Sequence, residues 1–138
     1  MKIQTTTIKQ KVIIPATPEE IYEAYTDPKI HSEFTGSKAT GKPKVGEKFT
    51  AWDEYISGKY LELEKGKKVV QEWVDTDWPE GLPPSKFELT FKATAEGTEI
   101  SMVQSGIPAA REEELLDGWT EFYWDPLKKF FSKKTKKK

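Results

Sequence analysis

PAAREEELLDGWTEFYWDPLKKFF, residues 108–131, is the stretch on which the fold turns. Pro108 is suited to start a helix, and Glu112, Glu113, Glu114 and Asp117 crowd the N-terminal half, with Lys128 and Lys129 near the end. That charge order suits the helix dipole. Leu115, Trp119, Phe122, Pro126 and Phe130 recur at spacings of three and four, one apolar stripe along a helix. About twenty residues from Ala109 would span roughly 30 Å. Pro126 removes an internal hydrogen bond and is expected to kink or weaken the helix. Gly118 costs helix stability, and its place beside Trp119 suggests a close approach to the layer beneath.

Upstream of this helix the period changes to two. In Ser85–Ala95, Phe87, Leu89, Phe91 and Ala93 fall on one side and Glu88, Thr90, Lys92 and Thr94 on the other. Glu96-Gly97 then turns tightly into a strand over Thr98–Ser105. Earlier strands are expected at Ser37–Thr40, Glu47–Trp52, Ile56–Glu64 and Lys68–Thr76, the last two joined by a hairpin turn at Lys65-Gly66. Such short connections require antiparallel neighbours. Asp77–Pro84 is a loop holding three of the nine prolines.

At the other end, Lys2–Ile14 reads as a long strand with Ile8, Gln10, Val12 and Ile14 on one side. Pro15 ends it. Thr17-Pro18-Glu19-Glu20 then reads as a capping box with proline at the first helical position, and Ile21, Ala24 and Tyr25 form that helix's apolar stripe. Asp27-Pro28 starts a second short helix carrying Ile30 and Phe34. The fold class is therefore α+β: a curved antiparallel sheet of six or seven strands around a long C-terminal helix, with two short helices after the first strand. A sheet with one apolar face needs a cover, and the long helix is the only element large enough. Residues 1–131 read as one domain and 132–138 as a disordered lysine-rich tail.

Composition narrows the function. There is no cysteine, which excludes disulfides, thiolate metal sites and cysteine nucleophiles. No apolar run approaches the roughly 20 residues that span a bilayer, and MKIQTTTIKQ lacks a signal-peptide core, so a cytoplasmic location is expected. Residues 1–127 carry 15 basic and 23 acidic side chains, while residues 128–138 carry seven lysines and no acid. A nucleic-acid binder would carry a basic face on its folded body, and this body is acidic. His31 is the only histidine. It is expected to be a plain surface or loop residue, and one histidine does not make a metal site. Three consecutive glutamates point about 100° apart on a helix and do not converge. Neither a catalytic set, a metal site nor a cofactor site is therefore expected.

The ordered set of motifs resembles a known family. Pro18-Glu19-Glu20-Ile21-Tyr22, Gly46-Glu47-Lys48-Phe49, Ser57-Gly58-Lys59-Tyr60, Trp73, Trp78-Pro79-Glu80-Gly81, Phe87-Glu88-Leu89-Thr90-Phe91, Gly106-Ile107-Pro108 and Gly118-Trp119 with Phe122-Tyr123 carry the resemblance. They resemble the C-terminal domain of the heat-shock protein 90 ATPase activators, within the START-like, helix-grip superfamily. The resemblance implies a non-enzymatic, co-chaperone-like, monomeric binding domain whose partner is a heat-shock protein 90-type chaperone. The alternative is a carrier or sensor of a small hydrophobic ligand held between sheet and helix, because the fold class often hollows its centre. The candidate cavity residues are Trp52, Trp73, Phe87, Gln104, Leu115, Trp119, Phe122 and Tyr123, with simple core filling as the competing reading. Gln71, like Gln104, lies in a strand-like run where solvent exposure is the commoner outcome. Trp78, Pro79 and Glu80 lie on a loop, either tucked back as a lid or presented to a partner. Whether the interior is solid or hollow separates the two functional readings.

Overall fold

The computed structural model describes residues 3–136, with side-chain surroundings through residue 132. Seven strands form one antiparallel sheet: β1 (Thr5–Ile14), β2 (Thr40–Gly41), β3 (Lys48–Ala51), β4 (Ile56–Glu64), β5 (Lys68–Asp75), β6 (Ser85–Thr94) and β7 (Gly97–Pro108), in the order β1-β7-β6-β5-β4-β3-β2. Helices α1 (Pro18–Thr26) and α2 (Pro28–Thr35) follow β1. A 3₁₀ turn (Ala109–Arg111), α3 (Glu112–Trp119), a π-turn (Thr120–Trp124) and α4 (Asp125–Lys136) make up the C-terminal helix.

Local chemistry accounts for these boundaries. Thr17 Oγ1 accepts from the Glu20 N–H at 3.2 Å and Glu20 Oε1 accepts from the Thr17 N–H at 2.9 Å, so the capping box opens α1 as expected. Asp27 caps α2 through the Lys29 N–H. β7 runs past Ser105 because Gly106, at φ 78°, absorbs a bulge opposite Thr6 and Thr7, which lets pairing with β1 continue to Pro108. A second bulge at Leu61 interrupts the β4–β5 register. At Gly58 a Cβ would sit 1.8 Å from the Glu72 carbonyl oxygen, so only glycine lets β4 and β5 pair there.

The helix departs from its expected stripe. Leu115 and Trp119 are buried as read, but the next buried positions are Tyr123, Trp124, Leu127 and Phe131 rather than Phe122, Pro126 and Phe130. The π-turn supplies the reason. One extra residue in that turn advances the inward face by one position, and Phe122 is left 46% exposed. The same turn accommodates Pro126. The Asp125 N–H reaches back to the Thr120 carbonyl, five residues away, so the ladder is already widened where the proline has no N–H to donate. Gly118 makes no close approach to the sheet, since an added Cβ would meet only the Phe122 ring at 3.8 Å. The helical backbone is described as far as Lys136, and the tail expected over 132–138 lies largely beyond the residues whose side-chain surroundings are described. Lys137 and Lys138 lie outside the described residues.

The helix packs on the sheet beside the α1–α2 pair, which itself touches the sheet at β6 and β2. Trp119 stacks on Phe87 of β6 with ring centroids 4.4 Å apart and planes 10° apart. It also meets Trp73 of β5 at 5.6 Å. Gln10 of β1 clamps both sides of the π-turn: its Nε2 donates to the Leu116 carbonyl at 3.1 Å and its Oε1 accepts from Trp124 Nε1 at 2.8 Å. On the opposite side, Phe34 of α2 packs on Tyr123 and Phe130. Each fully buried large apolar side chain in this core contributes about 1.5–3 kcal/mol.

Candidate functional site

The alternation of β5 sends Gln71, Trp73 and Asp75 to the helix-facing side, and all three are buried. Opposite them the first turns of the C-terminal helix carry Arg111, Glu114, Leu115, Gly118 and Trp119. Between these two walls lies a cavity of about 440 Å³, within the ordinary range for small-molecule sites. Trp52, Trp73, Leu115, Trp119, Phe122 and Tyr123, six of the eight residues singled out as candidates, line it together with Tyr55, Ile56, Asp75, Arg111, Glu114 and Gly118. Phe87 and Gln104 do not line it and are corrected accordingly. They stand behind Trp119, Phe87 stacked against its face and Gln104 holding its nitrogen.

That nitrogen anchors a buried relay. Trp119 Nε1 donates to Gln104 Oε1 at 2.9 Å, Gln104 Nε2 donates to Ser85 Oγ at 3.0 Å, and Ser85 Oγ donates to the Trp73 carbonyl at 2.6 Å. Gln104 is 0% and Gln71 1% exposed, so neither faces solvent. The inward positions of β5 and β7 put them there. The Gln104 amide is tolerated there because its oxygen accepts from Trp119 and its nitrogen donates to Ser85.

A second relay runs through α1 and α2. His31 is buried within α2, not on a loop, which corrects the expectation for it. Its Nδ1 must donate to the Tyr25 carbonyl at 2.8 Å, because a carbonyl only accepts. Neutral Nε2 then accepts from the Tyr123 hydroxyl at 2.9 Å. Tyr25 in turn donates to Gln71 Oε1 at 2.8 Å. Burial holds the His31 pKa below its usual value, opposed by the bond to the Tyr25 carbonyl, and burial raises those of Tyr25 and Tyr123. The unfolded chain therefore binds a proton that the folded one refuses. Stability held above the unfolded value near 6.5 is lost as pH falls, at up to about 1.4 kcal/mol per pH unit. Chemical denaturation between pH 7 and pH 5 should show this loss in the wild type and a flatter profile in His31→Gln; parallel profiles would refute it.

At one end of the cavity the side chains are charged. Arg111 Nη1 and Nη2 donate to Asp75 Oδ1 and Oδ2 at 2.9 and 2.8 Å. Its Nε and Nη2 also donate to Glu114 Oε1 and Oε2 at 3.1 and 2.7 Å. The Asp75 side chain is 1% exposed and that of Arg111 13%. Tyr55 extends the cluster: its hydroxyl donates to Asp77 Oδ2 at 2.8 Å, and its pKa is pushed up to about 12, first by desolvation and then by that bond. Trp52, Asp53 and Glu54 turn the chain from β3 into β4 with three successive left-handed backbones, φ 53°, 55° and 70°, and Trp52 alone of the three lines the cavity. The Trp52 ring stands edge-on to Phe122 at 5.3 Å, and both line the cavity. Sequence reading missed Asp75, Arg111 and Tyr55. The signal was present in the alternation Gln71, Trp73, Asp75, and in the fact that Arg111 is the only arginine among 22 basic residues.

On the neighbouring loop, Trp78 is folded back. Its Nε1 donates to the Pro83 carbonyl at 3.1 Å and its ring packs edge-on against Trp73 at 6.1 Å, while Glu80 is exposed. Among the described residues no cluster of three metal-ligating side chains occurs, and no helix is long and apolar enough to cross a membrane.

A single antiparallel sheet gripping one long helix defines the helix-grip fold. Residues 15–132 match the model of the "Activator of Hsp90 ATPase homolog 1-like protein" family, and the chain belongs to that family. It is 34% identical over 131 residues to the human activator of 90 kDa heat shock protein ATPase homolog 1, covering 95% of this chain and 38% of that protein. It is 30% identical to the Dictyostelium discoideum activator homolog, covering 98% of this chain and 35% of that one. The chain thus spans well under half the length of these relatives. An HSP90 activator from Plasmodium falciparum superposes with a TM-score of 0.81 at 25% identity, covering 92% of this chain and 96% of that one. A Mesorhizobium loti protein does so at 0.78 and 23% identity, covering 92% and 97%, which speaks to fold alone.

Proposed function

We propose that this chain is a non-enzymatic binding domain whose cavity holds one small, largely apolar ligand between sheet and C-terminal helix. The observation that carries this is the 440 Å³ hollow walled by Trp52, Trp73, Leu115, Trp119, Phe122 and Tyr123. A solid core would have filled it, since protein interiors otherwise pack as densely as organic crystals. The test uses N-phenyl-1-naphthylamine, an uncharged apolar fluorophore, with amide shifts to locate it. Saturable binding near micromolar strength, with shifts confined to the helix and the strands facing it, is the expected result. Gly118 offers a second check. Gly118→Leu keeps a good helix former at a helical position and sends its side chain into the hollow, so binding should drop at least tenfold while the unfolding midpoint holds or rises. Undiminished binding in this variant would place the ligand elsewhere.

A second reading is favoured by family membership: surface contact with a heat-shock protein 90-type chaperone, since the relatives are named as activators of that chaperone's ATPase. The Trp78, Pro79 and Glu80 loop belongs to this reading, with Glu80 as its exposed point. It is tested by adding the chain to such a chaperone and measuring ATP turnover. Stimulation that Gly118→Leu preserves would assign the activity to the surface; the absence of stimulation would leave only the cavity.

A further inference from the structure

We propose that one face of this domain docks a lysine- or arginine-bearing segment of a partner protein. The face is formed by the β3–β4 turn, the β5–β6 loop and the helix from Ala109 to Leu127, and an apolar side chain of the docked segment sits against Phe122 and Tyr55. This rests on the surface-contact reading above and specifies its face and chemistry. Three observations carry it. The first is an aromatic patch turned outward. Phe122 is 46% and Tyr55 38% exposed, and the Trp52 ring stands edge-on to Phe122 at 5.3 Å. The apolar spacing of the helix would bury Phe122. The π-turn at Thr120–Trp124, held from β1 by Gln10, turns it out instead. Large apolar groups gathered in one exposed place mark contact surfaces, and here the backbone departs from regular geometry to present one.

The second is the charge around that patch. Residues 50–57, 73–85 and 109–127 meet there. They are joined by the Trp52–Phe122 contact, by the Tyr55 hydroxyl on Asp77 Oδ2 at 2.8 Å and by the Arg111 bridge to Asp75. These segments hold two, three and six acids and a single cation, Arg111, whereas the remaining 98 residues hold 12 acids and 21 lysines. A face of this sign repels nucleic acid and anionic lipid, and it steers and orients cationic partners. Among the described residues no three carboxylates gather as a metal ion would need, so the charge suits an extended cationic segment.

The third is that the exposed part of this charge has no internal counter-ion. Arg111 is taken up by Asp75 and Glu114. Asp53 and Glu54 lie between Trp52 and Tyr55 in the chain, and Glu121 adjoins Phe122. All three acids are exposed, and among the described residues none of them has a salt-bridge partner. Each aromatic of the patch thus has a carboxylate beside it in sequence. A guanidinium or ammonium placed there meets a carboxylate and an aromatic face together.

The test titrates three peptides, each blocked at both ends, into the full chain and follows amide shifts. They are KRLKRL, cationic with apolar anchors; KRSKRS, cationic without them; and EELEEL, anionic. KRLKRL should bind with a Kd on the order of 100 micromolar at low salt, with shifts centred on residues 52–55, 76–80 and 114–122. KRSKRS should bind about fivefold more weakly, and EELEEL not at all. Raising the ionic strength from about 0.02 to about 0.2 M should weaken KRLKRL about tenfold. Asp53→Asn, Glu54→Gln and Glu121→Gln together should also cost about tenfold, the yield of three exposed ion pairs; asparagine tolerates the left-handed backbone at position 53. The same neutralisation at Glu23, Glu64 and Glu96, exposed acids elsewhere on the domain, should change binding by less than about twofold. Phe122→Ser should erase the lead of KRLKRL over KRSKRS.

Equal effects of the two triple changes, or EELEEL binding as tightly as KRLKRL, would overturn the proposal. A molar mass that rises with concentration in the wild type and not in the first triple variant would assign the face to the lysine-rich end of a second copy, and would overturn it too. In the chaperone ATP-turnover assay the first triple variant should need about tenfold more chain for half-maximal stimulation. Undiminished stimulation by that variant would overturn this face while the surface-contact reading stands. No stimulation by the wild type, with KRLKRL binding intact, would remove the chaperone and leave the face.

Discussion

Trp119→Ala should lower the unfolding free energy by about 3–5 kcal/mol, the range for deleting a large buried aromatic. Trp119 is the point where the C-terminal helix is held. It stacks on Phe87, packs on Trp73, Tyr123 and Trp124, and fastens its nitrogen to Gln104. Alanine removes the rings' partner and also leaves the Gln104 oxygen buried with no donor, a further cost. Trp119→Phe separates the two contributions. It keeps most of the packing and loses only the nitrogen, so its effect should fall near the low end of 1–3 kcal/mol, the penalty for one unsatisfied buried group. Urea unfolding midpoints measure both. An alanine variant within 1 kcal/mol of wild type would mean that the helix is held by its α2 contacts instead.

Arg111→Ala is expected to cost a comparable 3–5 kcal/mol, because it strands Asp75, whose side chain is 1% exposed, as an unpaired buried carboxylate. The Glu114 arm adds little, since its side chain is 59% exposed and solvent screens it to under about 1 kcal/mol. Arg111→Lys should recover only part of the loss, because a single ammonium cannot span both Asp75 oxygens as the guanidinium does at 2.9 and 2.8 Å. The double change Arg111→Met with Asp75→Asn should be markedly milder than Arg111→Ala, since it buries no charge. If the double and single variants unfold at the same denaturant concentration, the cost lies in packing around Arg111 and not in the stranded charge.

The hairpin-connected strands and both short helices were legible because their signals are local, whereas the pairing of β1 with β7 was not read. Alternation in Ser85–Thr94, the capping box at Thr17 and the glycine turns each act within a few residues. The phase of the C-terminal helix was not legible past Trp119. The π-turn answers to Gln10, more than a hundred residues away in sequence, which holds the Leu116 carbonyl and Trp124. No helical periodicity carries that information. The hollow itself was partly readable: the aromatic positions were, but the polar end was not. His31 fails for the same reason as the helix phase. A lone polar residue reads as solvated until its two partners, the Tyr25 carbonyl and the Tyr123 hydroxyl, are brought to it by tertiary packing.

The pairing of β1 sets an order of assembly. Thr5–Ile14 bonds along its length to β7, with Thr5 opposite Pro108 and Ile14 opposite Thr98. The intervening strands β3 to β6 pair with sequence neighbours, so the sheet can grow hairpin by hairpin from the middle of the chain. β1 alone must wait. On a ribosome adding about 5–20 residues per second, the first strand emerges some 5–20 seconds before its partner exists. Through that interval its backbone groups are open to other strands. The lysines at positions 9 and 11, and the threonines before them, keep this waiting segment from being a purely apolar template. Pairing of β1 with β7 is thus the longest-range strand pairing of the sheet, and the helix's hold on Gln10 spans a still longer separation.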